Sequence, residues 1–180
     1  IYEWVGLNSS TPRIIAVPLH LVNTFGLLGM YTILFYLTKN SKTNLNNFFD
    51  KRLKIGLFLF LLSGATGSIA ALADLIFPSE SFIVGFAEDF DSSSEMLTRL
   101  RILHPIVAVV LSMYLFSEAT RLQNEYKIIT KNIKRLVLIG VLLGVLNVFS
   151  NIILPLSILH LLIADLIWIV YVYKSAEKIT

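Results

Sequence analysis

Residues 55–77 read IGLFLFLLSGATGSIAALADLIF and carry one charge, Asp74. Coiled at 1.5 Å per residue, this run spans roughly 35 Å, enough to cross a hydrocarbon core of about 30 Å. No water is present there to bond the backbone, so such a run crosses as a helix. Gly64, Ala65, Gly67, Ser68, Ala70 and Ala71 give it a face of small residues along which a neighbour can approach closely.

Similar runs recur on both sides of it, at about 13–37, 97–117, 136–154 and 156–173. The third is the poorest in apolar residues. Its uninterrupted stretch begins at Ile102, which leaves Arg99 and Arg101 at an interfacial end. Gly140 and Gly144 form a GxxxG pair in the fourth, another place for close helix contact. Of all residues 56% are hydrophobic and 15% charged, with a mean hydropathy of +0.75. A soluble domain carries about a quarter charged residues. The fold expected is an all-α integral membrane protein with five transmembrane helices.

The formal charge of +3 does not mark a nucleic-acid binder, because the basic residues gather in short connections instead of forming one patch. Lys39, Lys42, Lys51, Arg52 and Lys54 follow the first helix. Arg121, Lys127, Lys131, Lys134 and Arg135 follow the third, and Lys174 and Lys178 end the chain. Only Arg13, Arg99 and Arg101 lie on the opposite side. Positive residues stay in the cytoplasm, so the orientation expected is N-out and C-in. The stretch Ser79–Met96, with Glu80, Glu88, Asp89, Asp91 and Glu95 and no basic residue, then faces outward. Tyr2 and Trp4 suit an interfacial position at the start. There is no cysteine, which excludes thiolate metal sites and disulfides within the chain. The chain starts at Ile1 and reads as part of a longer protein.

His20, His104 and His160 are the three histidines, each within a spanning run and each about 6–10 Å below the outer surface at 1.5 Å per residue. Imidazole is the usual axial ligand of haem iron and a common ligand of other metals. A histidine alone in a membrane helix serves equally well as a hydrogen-bonding group between helices. Three in one layer, with none in a loop, favour a site. A donor set of histidines without thiolates suits haem better than zinc.

Arg99 and Arg101 stand within a turn of His104. Guanidinium groups bind carboxylates bidentately, so the two arginines either hold haem propionates or pair with the acidic outer stretch. Asp165 lies five residues past His160, where a bare carboxylate needs a partner. Asp74 lies close to water, and Glu118 can snorkel to the cytoplasmic surface. PLHLVNTFGLLGMY around His20 parallels ILHLLIADLIWIVY around His160, and a tyrosine follows each histidine eleven residues later. This points to a duplicated unit.

HLVNTFGLL, SGATGSIAALADLIFPS, LTRLRILHPIVAV and ILHLLIADLIWIVYV together resemble the later helices of the haem A synthase family, required for assembling cytochrome oxidase. The likeness runs from about Pro12 to Tyr173. It implies eight helices in two similar four-helix halves. Residues 1–50 would then carry the last helix of the first half and a connection. Residues 51–180 would form the second half, an up-down four-helix bundle binding haem. By the same resemblance His104 and His160 ligate a haem b, and Arg99 and Arg101 flank it. His20 matches the later histidine of the first half, where haem O is the substrate whose ring methyl becomes the formyl of haem A. The family's glutamate-and-histidine motif, which supplies a proposed catalytic acid and a partner for His20, precedes the helices seen here. The stretch is therefore expected to be inactive by itself. Partners implied are haem O and haem A, haem O synthase, oxidase assembly factors and the lipid bilayer, in the bacterial cytoplasmic membrane. A non-catalytic bis-histidine b-type cytochrome and a transporter with histidine proton relays are the other function classes.

The charge asymmetry predicts that a cysteine introduced at Ser93 reacts with an impermeant thiol reagent from outside, and that one at Asn46 does not. The opposite labelling pattern would reverse the orientation.

Overall fold

A computed structural model describes residues 4, 6, 8–39, 51–122, 127–150 and 152–177. The described helices are α1 (Thr11–Lys39), α2 (Lys51–Ile76), α3 (Phe82–Phe90), α4 (Met96–Leu100), α5 (Leu103–Arg121), α6 (Lys127–Phe149) and α7 (Leu154–Glu177). Five stretches are long and apolar enough to span a membrane, at Thr11–Lys39, Lys51–Ile76, Met96–Arg121, Thr130–Phe149 and Leu154–Ala176. The all-helical membrane fold is thus present. Tyr2, Lys42, Asn46 and Lys178, used above for topology, lie outside the described residues.

Three boundaries differ from the sequence reading. The third span is broken: α4 stops at Leu100 and α5 starts at Leu103. Pro105 has no N–H to give the Arg101 carbonyl, so the His104 N–H donates to it instead, at 3.1 Å. The turn tightens to i→i+3 at that point. The fourth helix starts at Lys127, well before the apolar run, because its basic turns continue past the lipid-facing length. It ends at Phe149, and Ile152 with φ 56° turns the chain into α7, its N–H bonded to the Asn147 carbonyl at 2.8 Å. The acidic connection read as a loop contains α3, capped by the Ser81 side chain accepting from the Val84 N–H. Phe82, Phe86 and Phe90 recur there at helical spacing.

The spans α2, α5, α6 and α7 pack in chain order, and α1 lies against both α2 and α7. The result is a ring of five with α1 between the first and last members of the four-helix set. Hydrocarbon supplies no hydrophobic drive between helices, so fit and a few hydrogen bonds decide the contacts. Trp168 of α7 is the centre of that fit. Its ring meets Phe25 at 5.6 Å and Phe60 at 5.2 Å, both edge-on. Its indole N–H donates to the Phe25 carbonyl at 2.8 Å. Glycines make room: a Cβ on Gly29 would lie 3.2 Å from the indole, and one on Gly64 2.7 Å from the Phe25 ring. Facing outward are Met30, Phe58 and Met113, each more than three-fifths exposed, as suits lipid contact.

A leucine at Gly64 must push α1 from α2. Overpacking of this kind costs about 1–3 kcal/mol. Gly64→Leu is therefore expected to lower the thermal unfolding midpoint in detergent, followed by circular dichroism. An unchanged midpoint would mean that the α1–α2 contact is looser than described.

Candidate functional site

His104 is the second residue of α5 and His160 the seventh of α7, and the fold brings their rings together. The ring centres are 6.3 Å apart and the planes stand at 82°. A metal–imidazole bond is about 2.0 Å and the ring centre lies about 1.1 Å beyond the nitrogen. Two imidazoles on opposite sides of one metal therefore have centres about 6 Å apart, which this spacing matches.

Each imidazole is seated over a glycine of the adjacent helix. A Cβ on Gly67 of α2 would stand 2.9 Å from His104 Cε1, and a Cβ on Gly144 of α6 would stand 3.1 Å from His160 Cε1. The small-residue faces read from the sequence thus serve the rings as well as the helix contacts. His160 Nδ1 is 3.0 Å from the Gly140 carbonyl. A carbonyl only accepts, so Nδ1 carries the proton and Nε2 keeps its lone pair, the arrangement of a metal-ligating histidine. His104 sits against the Ser63 backbone, and its Nδ1 is buried with no hydrogen-bond partner among the described residues. Each ring thus keeps a nitrogen without a hydrogen bond among the described residues. No third His, Cys, Asp or Glu joins them among the described residues. Tetrahedral zinc asks three or four ligands of the protein. A haem supplies four nitrogens itself and asks for two axial ones, so the donor set fits haem.

His20 is not part of this pair. It is exposed on α1, although it shares the Leu-His-Leu motif of His160. The equivalent stripes differ throughout. On α7, Ile163, Ile167 and Tyr171 turn into the core. On α1, Asn23, Leu27 and Tyr31 are exposed, Tyr31 by 69%.

The two arginines separate. Arg99 is exposed. Arg101 is buried, and of the two readings offered for it the structure forms the pairing with acidic residues. Its Nε donates to Asp89 at 2.8 Å, Nη1 to Asp74 at 2.9 Å and to Ser79 Oγ at 3.1 Å. Nη2 donates to the Gly85 carbonyl at 3.2 Å and to Glu88 at 3.3 Å. Burial outweighs these bonds at Asp89 and holds its carboxyl above the usual range. The sequence marked Asp74 as unremarkable and did not identify Ser79, Glu88 and Asp89 as one cluster. The signal available was the pair Arg99 and Arg101 beside an acidic stretch.

Glu118 does not snorkel. It is buried at the opposite end of α5 between Arg52 at 2.8 Å and Arg121 at 2.6 Å. Asp165, for which a partner was expected, has none among the described residues and is partly exposed.

Together these features define a helical membrane protein with a paired-histidine centre near one end of its spans. The family model of COX15-CtaA, cytochrome oxidase assembly protein, matches residues 4–172, and the chain belongs to that family. Two curated relatives, each called protoheme IX farnesyltransferase, come from two strains of Thermus thermophilus. Each is 26% identical over 187 residues, covering 99% of this chain and 31% of the relative. The chain thus spans about a third of their length. No solved structure matches.

Proposed function

We propose that this chain is the haem-binding part of a haem A synthase, which oxidises a methyl group of haem O to the formyl group of haem A. The observation that carries this reading is the facing pair His104 and His160, each with one ring nitrogen unclaimed and each seated over a glycine. Membership of a cytochrome oxidase assembly family supports it. So does a chain-length match to part of proteins named for farnesylating protoheme IX, since a farnesylated haem is the substrate required here. The reaction, R–CH3 + H2O → R–CHO + 4 H+ + 4 e−, releases electrons that must be carried away.

His104 and His160 would hold a b-type haem, which would supply electron transfer when bound. The residues around it do the rest. The Gly140 carbonyl fixes the His160 tautomer and ring direction. Gly67 and Gly144 let the imidazoles stand close to α2 and α6. His20, on the outward stripe of α1, belongs in this reading to the substrate haem, because its motif repeats that of His160 while facing away from this bundle. Exposed Arg99 is available to a haem propionate. The orientation proposed is N-out and C-in, in a bacterial cytoplasmic membrane.

A second reading, a non-catalytic b-type cytochrome, draws on the same pair, since a haem held by both histidines would serve electron transfer alone. Both readings require haem at His104 and His160, and formation of haem A separates them.

After reconstitution with haem, His104→Ala and His160→Ala are each expected to lose the six-coordinate low-spin optical and paramagnetic-resonance signal. His20→Ala should keep it. Retention of the signal in both of the first two variants, with its loss in the third, would refute the pairing.

A further inference from the structure

Arg101 has five N–H bonds, and the five contacts described above occupy all of them. The acceptors come from the end of α2 (Asp74), the link after it (Ser79) and three positions of α3 (Gly85, Glu88, Asp89). Ser79 Oγ also donates to Glu88 at 2.6 Å. A Cβ on Gly85 would lie 2.9 Å from Ser79 Oγ, so the absence of a side chain there lets α3 close onto the guanidinium. No N–H remains for a further carboxylate unless one of these is displaced.

The same arginine is tied to His104. Its carbonyl accepts the His104 N–H, the bond that Pro105 forces into the tight turn. Across from it, α2 presents Asp74 to the guanidinium and Gly67 to the imidazole. These positions are seven residues apart, two turns along one helix face and about 10.5 Å of rise. Leu72, Ala73 and Leu97 fill the space beside them and are nearly inaccessible. Two contacts with α2, an ionic one from the α4–α5 turn and a steric one from the first turn of α5, bear on how α5 sits against α2.

We propose that Arg101 is a positioning residue for His104: its carboxylate knot holds the α4–α5 turn so that the imidazole stands over Gly67 facing His160. The proposal rests on the haem reading above, and assigns Arg101 no contact with the haem itself. The alternative, an arginine that anchors a propionate, makes the opposite forecast for Asp74. If Arg101 awaited a propionate, removing the Asp74 charge would free the guanidinium and tighten haem binding.

The experiment uses the full chain loaded with haem b, with Arg101→Gln, Asp74→Asn and the double variant. Low-spin g-values and the rate of haem loss to apomyoglobin are measured for each. Positioning predicts that both single variants shift the g-values in the same direction and lose haem several-fold faster. The double variant should go little further, because one knot is broken in each. Wild-type g-values in Asp74→Asn, or slower haem loss from it while Arg101→Gln loses haem faster, would overturn the proposal. Should either variant fail to assemble, Arg101→Lys and Asp89→Asn weaken the same knot. They should shift the g-values in that direction by less, and unshifted values in both would count against the proposal. His160→Ala is the control for the haem reading: if it keeps the wild-type signal, that reading has failed independently of Arg101.

Discussion

Lipid is as apolar as the side chains it surrounds, so a spanning helix gains little by exchanging one for the other. What holds helices side by side is close approach and the few polar bonds that cannot be made to solvent. In this chain close approach comes from single glycines placed opposite large rings. Gly29 faces Trp168, Gly64 faces Phe25, Gly67 faces His104 and Gly144 faces His160. Two of these contacts build the core and two build the site. The histidine pair is therefore continuous with the packing, and its spacing follows from where the α2 and α6 backbones can come near α5 and α7.

Among the described residues the ion pairs lie at the two ends of the bundle, with opposite balance. At the histidine end one guanidinium is surrounded by three carboxylates. At the other end one carboxylate lies between two guanidinium groups. A buried charge left without partners is very costly, so each knot fixes the elements that contribute to it. The Arg101 knot brings α3 down beside the site, and there the aromatic edge of α3 reaches α6, with Phe82 and Phe149 ring centres 4.6 Å apart. The Glu118 knot joins α2 to α5 where the basic residues gather.

The repeated Leu-His-Leu motif shows how one local pattern acquires two environments. Both copies lie on helices of the same direction that pack against each other through Trp168 and Phe25. Yet the stripe beginning at His160 turns inward and the stripe beginning at His20 turns outward. A polar stripe of histidine and asparagine facing hydrocarbon is unfavourable in isolation.

Several of these features were legible in the order of residues alone. Length and hydropathy of each run determined five spans, because a bilayer of fixed thickness admits little else. The histidines shared a depth by counting at 1.5 Å per residue, and the glycine-rich face of α2 was visible as composition. Tertiary structure decided which histidines meet, since depth says nothing about rotation around each helix axis. It also decided that Arg101 is committed to carboxylates: Asp74, Glu88 and Asp89 converge on it only when α3 folds back over the end of α2. Glu118 gave a misleading signal for the same reason. A residue near a helix end can reach water or a neighbour, and only the placement of Arg52 from another helix, beside Arg121, selects the neighbour.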